Sequence, residues 1–376
     1  LLLLSATIGN ADQIAGWLSS IRSSRCTVIR EYKRPVPLVP LFLHPSGTLL
    51  PLTAPAKTAG KEKIYKKVAD FLKTKGSRYR RMPDYLLPFD DVLKVLKKYD
   101  LLPAIFFLKS RADCDRAIEQ CRGKLLPDPG RNAVLKERIE TYANQSLHVI
   151  HHRQRWFLEN LALGSHHAGQ LPAWKLMLER LMSEGLLDAV FATSTVAAGV
   201  NFPARTVVFL NSDRFNGSQF LPLDATELHQ MTGRAGRRGM DNIGFALLLP
   251  NKLMDVRWMA KLFQPKASDV ASQIKINFSM VLNLLLSHNP DQVKDLLGRS
   301  FASYVLRKTP LKKSRKDRRR ILWDDFYQHL DFLKDTGYVT DSGELTEKGK
   351  WTSQLRVDQP LLIAEGFQLG ILPMSE

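Results

Sequence analysis

Acidic residues are scarce in this chain: 37 Asp and Glu stand against 55 Lys and Arg, a formal net charge of +18. Such an excess is the electrostatic footprint of a nucleic-acid binder, although a solvated surface can carry it too. Cysteine is nearly missing. Cys26, Cys114 and Cys121 form no C-x-x-C pair, which argues for a reducing, cytoplasmic setting and against a zinc or other metal site. No apolar run approaches the ~18 residues of a membrane span. The opening Leu1 to Leu4 is too short for a signal peptide and reads as the end of a buried strand. Two catalytic signatures are also lacking. Gly60-Lys61, Gly123-Lys124 and Gly349-Lys350 lack the spacing or the hydroxyl of a GxxxxGK[ST] phosphate loop. Asp90-Asp91 and Asp324-Asp325 do not follow an apolar strand, as a magnesium-holding acidic box would. The chain does not open on Met.

At 376 residues and 44% hydrophobic, the chain has material for two or three domains. Its most informative line is Gln230-Met231-Thr232-Gly233-Arg234-Ala235-Gly236-Arg237-Arg238-Gly239. Asp224 at an N-cap with Glu227 three residues on predicts a helix start. If that helix runs on, Gln230, Arg234 and Arg237 share one face. Gly233 and Gly236 each cost a helix roughly 1 kcal/mol against Ala, so they predict close approach of another surface. Two guanidinium forks aimed past bare backbone suit a polyphosphate. Upstream, Leu186 to Phe191 reads as a buried strand, followed at its C-terminal end by Thr193-Ser194-Thr195. Ligands bind at that end of an α/β sheet. Thr193 can cap a short helical turn, Gly199 frees the backbone, and Pro203 stops a helix before a second buried strand, 206–210.

Elsewhere, Asn10 caps a helix carrying Ile14, Ala15 and Leu18. The Pro-spaced stretch YKRPVPLVPLF (32–42) reads as an interdomain connector, and Ile64, Val68, Phe71 and Leu72 mark an exposed helix beside a loop. Ala104 to Leu108 is another buried strand. His148, His151 and His152 read as surface histidines. His166-His167 lies at a loop and not at a metal site. Asn216-Gly217 between Phe215 and Phe220 signals a hairpin turn. Residues 307–320 hold nine Lys/Arg against one Asp, a disordered linker or a phosphate-contacting arm.

FATSTVAAGVNFPART (191–206) and QMTGRAGRRGMD (230–241) resemble motifs V and VI of superfamily-two helicases. More narrowly, they resemble the superkiller and exosome-cofactor branch of DExH-box RNA helicases. Ser5-Ala6-Thr7 in LLLLSATIGN resembles motif III, which couples the two motor domains. PAIFFLKSRADCDRAI (103–118) resembles motif IV, and GSHHAGQLP (164–172) the His-His-Ala-Gly element. INFSMVLNLL, RSFASY and TGYVTDSGELTEKGKW resemble the winged-helix segment. The ordered set covers nearly the whole chain. It implies an α/β, RecA-like parallel-sheet motor domain followed by a winged helix and the start of a helical domain. The boundaries it suggests are 1–34 for a remnant of the first RecA-like domain, 35–250 for the second, 251–360 for the winged helix and 361–376 for the start of a helical ratchet domain.

The resemblance also implies roles. ATP would lie between two RecA-like domains, with Mg2+ held mainly by the missing first one. Arg234 and Arg237 would be the arginine fingers, and Gln230, Gly199 and Asn201 would face the nucleotide. Ser110, Arg111, His167, Gly169, Thr193 and Ser194 would hold a strand of RNA, or less readily DNA. Phe215, Asn216 and Gly217 would form a strand-separating hairpin. Two departures stand out. Ser194 occupies a position where the branch usually has Glu, and some fifteen residues stand where the exosome cofactors insert a large arch domain. Three readings remain: an RNA-helicase motor fragment, the same motor acting on DNA as in repair helicases, and a non-catalytic nucleic-acid-binding module.

Overall fold

The computed structural model describes residues 2–5, 8–22, 24–31, 33–55, 62–74, 87–121, 123, 127–197, 202–215, 219–263, 269–308 and 315–372. The chain divides into two compact units: Leu1–Gly9 with Arg30–Ser268, and Asn10–Ile29 with Asp269–Glu376.

The first unit is built on one sheet. Its strands in chain order are β1 (Leu38–Leu43), β2 (Leu49–Pro51), β5 (Ala104–Phe107), β6 (Leu163–His166), β7 (Ala189–Ala192), β8 (Thr206–Phe209) and β11 (Gly244–Leu248), numbered to leave room for two hairpins, β3–β4 (Thr53–Pro55 and Glu62–Ile64) and β9–β10 (Asp213–Phe215 and Phe220–Pro222). The order is β2-β1-β11-β8-β5-β7-β6, parallel throughout except at the β2 edge. β5, β6, β7 and β8 are buried along their whole length, because helices cover both faces of a parallel sheet. Alternation then sorts the side chains. Ile105, Phe107, Val190 and Val207 join the core on one face; Ala104, Phe106, Phe191 and Val208 join the core on the other. This is the mostly parallel α/β architecture expected of a RecA-like motor domain.

Three local expectations change. Half of the Pro-spaced stretch is strand: Pro40 sits in β1 beside Ala246 of β11, clear of the Leu41–Leu43 pairing with β2, so its missing N–H costs little. The helix Lys66–Thr74 is not simply exposed, since Val68 is fully buried and Phe71 packs edge-on against Phe42. Leu2, Leu3 and Leu4 are 80%, 59% and 86% exposed and lie in no described strand, so no sheet neighbour hides them here.

The second unit is helical. Helices Phe278–Leu285, Pro290–Arg299, Phe301–Lys308, Arg315–Asp335, Glu347–Ser353 and Pro360–Gln368 gather Val281, Leu282, Val293, Leu297, Phe326, Leu330 and Leu333 into a core. Asn289 and Gln292 form a capping box at the second of these helices. A tight turn over Asp341-Ser342-Gly343 is closed by the Val339–Leu345 bridge, with Gly343 at φ +89°. The helix Ala11–Arg22 belongs to this unit: Trp17 Nε1 donates to Arg299 O at 2.7 Å, and its ring lies 5.3 Å from that of Phe301.

Candidate functional site

Because the strands are parallel, the segments that follow them all emerge at one edge of the sheet. β5 delivers Lys109, Ser110 and Arg111, β6 delivers His167 and Gly169, β7 delivers Thr193 and Ser194, and β8 leads to the β9–β10 hairpin. Three of the sequence-predicted strand-contact residues are demonstrably close. A Cβ on Gly169 would lie 3.1 Å from His167 Nδ1 and 3.4 Å from Arg111 Cδ, so a side chain there would crowd both. Ser110 is occupied locally: as N-cap of the helix Arg111–Glu119 its Oγ accepts from Asp113 N at 3.1 Å and donates to Asp113 Oδ2 at 2.7 Å. Arg111 is exposed, while Thr193 and Ser194 are half-buried ahead of a single 3-10 turn, Ser194–Ala197.

Beneath this edge lies a buried polar network centred on Asp115, a residue the sequence did not mark. His167 is 4% exposed; its Nδ1 accepts from Gly169 N at 3.1 Å, which leaves Nε2 to donate to Asp115 Oδ1 at 3.1 Å. Gln154 Nε2 (2.6 Å) and Ser165 Oγ (3.1 Å) donate to the same oxygen, and Arg153 pairs with the other. Burial pushes the Asp115 carboxyl up, but His167, Ser165 and Arg153 outweigh it and hold it below the ordinary carboxylate range. The neighbouring His166 turns the opposite way, to Glu179 Oε1 at 2.9 Å, as alternation along a strand requires. His152 is no surface histidine: it stacks on Trp174 with centroids 3.6 Å apart and bonds Gln170 Oε1 at 2.8 Å. Burial lowers the pKa of both His152 and His166. Among the described residues, no three His, Cys, Asp or Glu side chains gather to hold a metal ion.

Phe215 and Phe220 are register partners in the β9–β10 pair, so the hairpin exists. Asn216, Gly217 and the Phe215 side chain lie outside the described residues, as do Ala6, Thr7, Gly199 and Asn201; Ser5 is exposed. Phe220 is 47% exposed with Lys109 Nζ 4.3 Å above its ring, a cation–π pair at the mouth of the same edge.

The arginine-bearing line sits at the opposite edge. The helix Ala225–Thr232 starts at the Asp224/Glu227 capping box, with bonds of 2.8 and 3.0 Å, and Arg214 of β9 pairs with Glu227. The helix does not run on. It ends at Thr232, so Gln230, Arg234 and Arg237 do not share a helical face. The reason is backbone: Ala204 N donates to Arg234 O (3.0 Å) and Gly236 N to Ala204 O (2.8 Å), an isolated parallel bridge. Gly236 then adopts φ +85°, where a Cβ would sit 2.5 Å from Val36 Cγ1. The close approach that its glycine permits is thus to the chain's own β1 segment. Arg34 completes the brace, its Nη2 donating to Thr232 O (3.1 Å) and Ala235 O (3.2 Å). No sequence signal singled out Arg34.

Gln230 is exposed on this turn, and Arg234 is half-buried, its pKa lowered by burial. Arg237 is engaged. Its Nε and Nη2 grip Asp241 Oδ2 and Oδ1 at 2.9 and 2.8 Å, and its backbone N donates to Oδ2 at 2.8 Å. This bidentate pair raises the Arg237 pKa; at Asp241 burial works upward, but the bonds from Arg237 prevail and depress the carboxyl.

No family model matches the chain. Curated relatives do. It is 34% identical over 323 residues to the probable helicase HelY of Mycobacterium tuberculosis, a match taking in 80% of this chain and 35% of HelY. It is 32% identical over 293 residues to the exosome RNA helicase MTR4 of Homo sapiens, 75% of this chain and 28% of MTR4. To the human superkiller complex protein 2 it is 32% identical over 335 residues, 82% of this chain and 26% of that protein. The chain belongs to the Ski2-like DExH-box helicases. It spans about a third of the length of the relatives it matches. No described helix is long and apolar enough to cross a membrane.

Proposed function

We propose that the intact protein is a cytoplasmic ATP-dependent RNA helicase, and that this chain supplies the second wall of its nucleotide cleft and part of its strand path. One observation carries the reading. The backbone of 234–236 lies beside Ala204, ahead of β8, while Ser110, His167 and Thr193 follow β5, β6 and β7, so the arginine turn and the strand-suited residues lie at opposite ends of strands that span roughly 15 Å. A motor needs that separation, since one element must feel the nucleotide while another grips the strand. RNA is favoured because MTR4 is named an RNA helicase.

Arg234, Arg237 and Gln230 fit a triphosphate: two guanidiniums at a turn braced by Arg34 and Ala204, and an exposed amide from the helix that leads into it. ATP supplies the phosphoryl bond whose cleavage drives the motor, with magnesium held by carboxylates of a first motor domain. Arg234 and Arg237 would stabilise charge that develops on the γ-phosphoryl oxygens, a role worth roughly 10³–10⁵ in rate in related enzymes. At the other edge Arg111, Gly169, Thr193 and Ser194 would hold phosphates, with His167 fixing the Gly169 backbone. The β9–β10 hairpin would part a duplex. Residues 1–34, 35–250, 251–360 and 361–376 would then be a first-domain remnant, the second RecA-like domain, a winged helix and the start of a ratchet domain.

Phosphate release measured with saturating RNA tests this. The intact protein should turn over ATP in a strand-dependent way, and this chain by itself should release none. Turnover by this chain that is lost in Arg234→Ala would overturn the division of labour between two motor domains.

A further inference from the structure

Asp241 is a buried carboxylate with two guanidiniums in reach. Its side chain is 2% exposed; Arg237 grips both oxygens, and Arg205 Nε stands 3.9 Å from Oδ1. That Nε is buried and makes no hydrogen bond among the described residues. On its far side Arg205 pairs with Asp100, whose side chain is 83% exposed, so releasing that contact costs little. The nucleotide-edge reading asks Arg237 to leave its present partner. If it left alone, a carboxylate buried in the brace would stand unpaired, a strongly destabilised state.

We propose that Asp241 is a handover site: as Arg237 leaves for the nucleotide, Arg205 turns in and takes the freed carboxylate. Arg205 is thereby a positioning residue, touching neither phosphate nor strand. It stabilises the state in which Arg237 is extended, and it links the segment preceding β8 to occupancy of the cleft. The movement required is short, from 3.9 Å to hydrogen-bond distance. The proposal rests on Arg237 facing the nucleotide, but the pairing itself is testable without one.

The first arm is a mutant cycle on the thermal unfolding of this chain with no nucleotide present. Arg237→Ala and Arg205→Met each leave Asp241 one guanidinium, so each should lower the midpoint by only about 2 °C. The double variant leaves none and should lose roughly 6 °C beyond the sum. Adding Asp241→Asn should restore most of that excess, because no buried charge is then left bare. Additive losses overturn the proposal. So does a double variant that fails to fold and is not recovered by Asp241→Asn. The second arm uses strand-stimulated turnover of the intact protein. Arg205→Met should slow it about tenfold, and Asp241→Asn in the same chain should bring it back toward the Asp241→Asn value. A double variant no faster than Arg205→Met overturns the handover. Synergy in unfolding together with normal turnover in Arg237→Ala would keep the shared pairing of Asp241 but overturn the handover along with the arginine-finger reading. Additive unfolding with turnover abolished would do the reverse.

Discussion

The two edges of the central sheet solve the burial of charge differently. At the edge where the strands end, Asp115 is surrounded by mostly neutral donors, His167, Gln154 and Ser165, with Arg153 the single cation in its hydrogen-bond set. The donors come from two segments, 153–154 and 165–167, so the carboxylate on the helix that begins at Arg111 ties both to it and fixes the loop that presents Gly169. At the opposite edge Asp241 is held by a guanidinium fork with a second guanidinium beside it. Many neutral bonds to one acceptor lock geometry, because no single rotation releases them. A pair of like cations around one acceptor allows exchange. By this contrast the edge around Asp115 is built to stay and the edge around Asp241 to move.

The largest effect should come from the arginines. In the intact protein, Arg234→Lys or Arg237→Lys keeps a charge but loses the planar fork, and either should cut turnover by roughly 10²-fold or more. Strand affinity without nucleotide should hardly change. Steady-state phosphate release and strand binding on the same preparations decide this; normal turnover with lost strand binding in Arg237→Ala would erase the distinction between the edges. Next comes Gly236→Ala, which adds a Cβ at φ +85° and 2.5 Å from Val36 Cγ1. It should destabilise the first unit by about 2–4 kcal/mol, read by denaturant unfolding; a loss under half a kcal/mol would show that the brace yields freely.

At the strand edge, Arg111→Ala should weaken single-strand binding roughly fivefold and reduce the salt slope by about 0.7, the contribution of one phosphate. An unchanged slope would remove Arg111 from the path. The smallest effect concerns acid. Asp115 and Asp241 both titrate below the usual 3.8, so their contribution is complete above that value and is lost as pH falls through their lower folded pKa. Unfolding between pH 5 and 2 should steepen below about 3.8. Asp115→Asn should flatten that limb while leaving His167 Nε2 an amide oxygen to bond. A limb unchanged in that variant would show that the network carries no net charge stabilisation.

Much of the sheet was legible. Short apolar runs at 104–108, 186–191 and 206–210 read as buried strands, and β5, β7 and β8 lie within or beside them. The Asp224/Glu227 box announced its helix because capping is local chemistry. The helix end was not legible because what stops it is remote: Ala204 and Val36 are neighbours of 234–236 only after folding. His152 was misread for the same reason, its partners Trp174 and Gln170 lying some twenty residues away.

The sequence by itself determined the alternation that sorts two cores, the caps, the glycine freedom at 236 and the order of motifs that marks the family. Each of these depends on near neighbours in the chain or on side-chain type alone. Tertiary structure decided what each charge faces. Asp115, Arg34 and Arg205 carry no local signal. Their partners are fixed by which strands lie side by side, and only the assembled sheet brings Arg34 to the carbonyls of Thr232 and Ala235, some two hundred residues on.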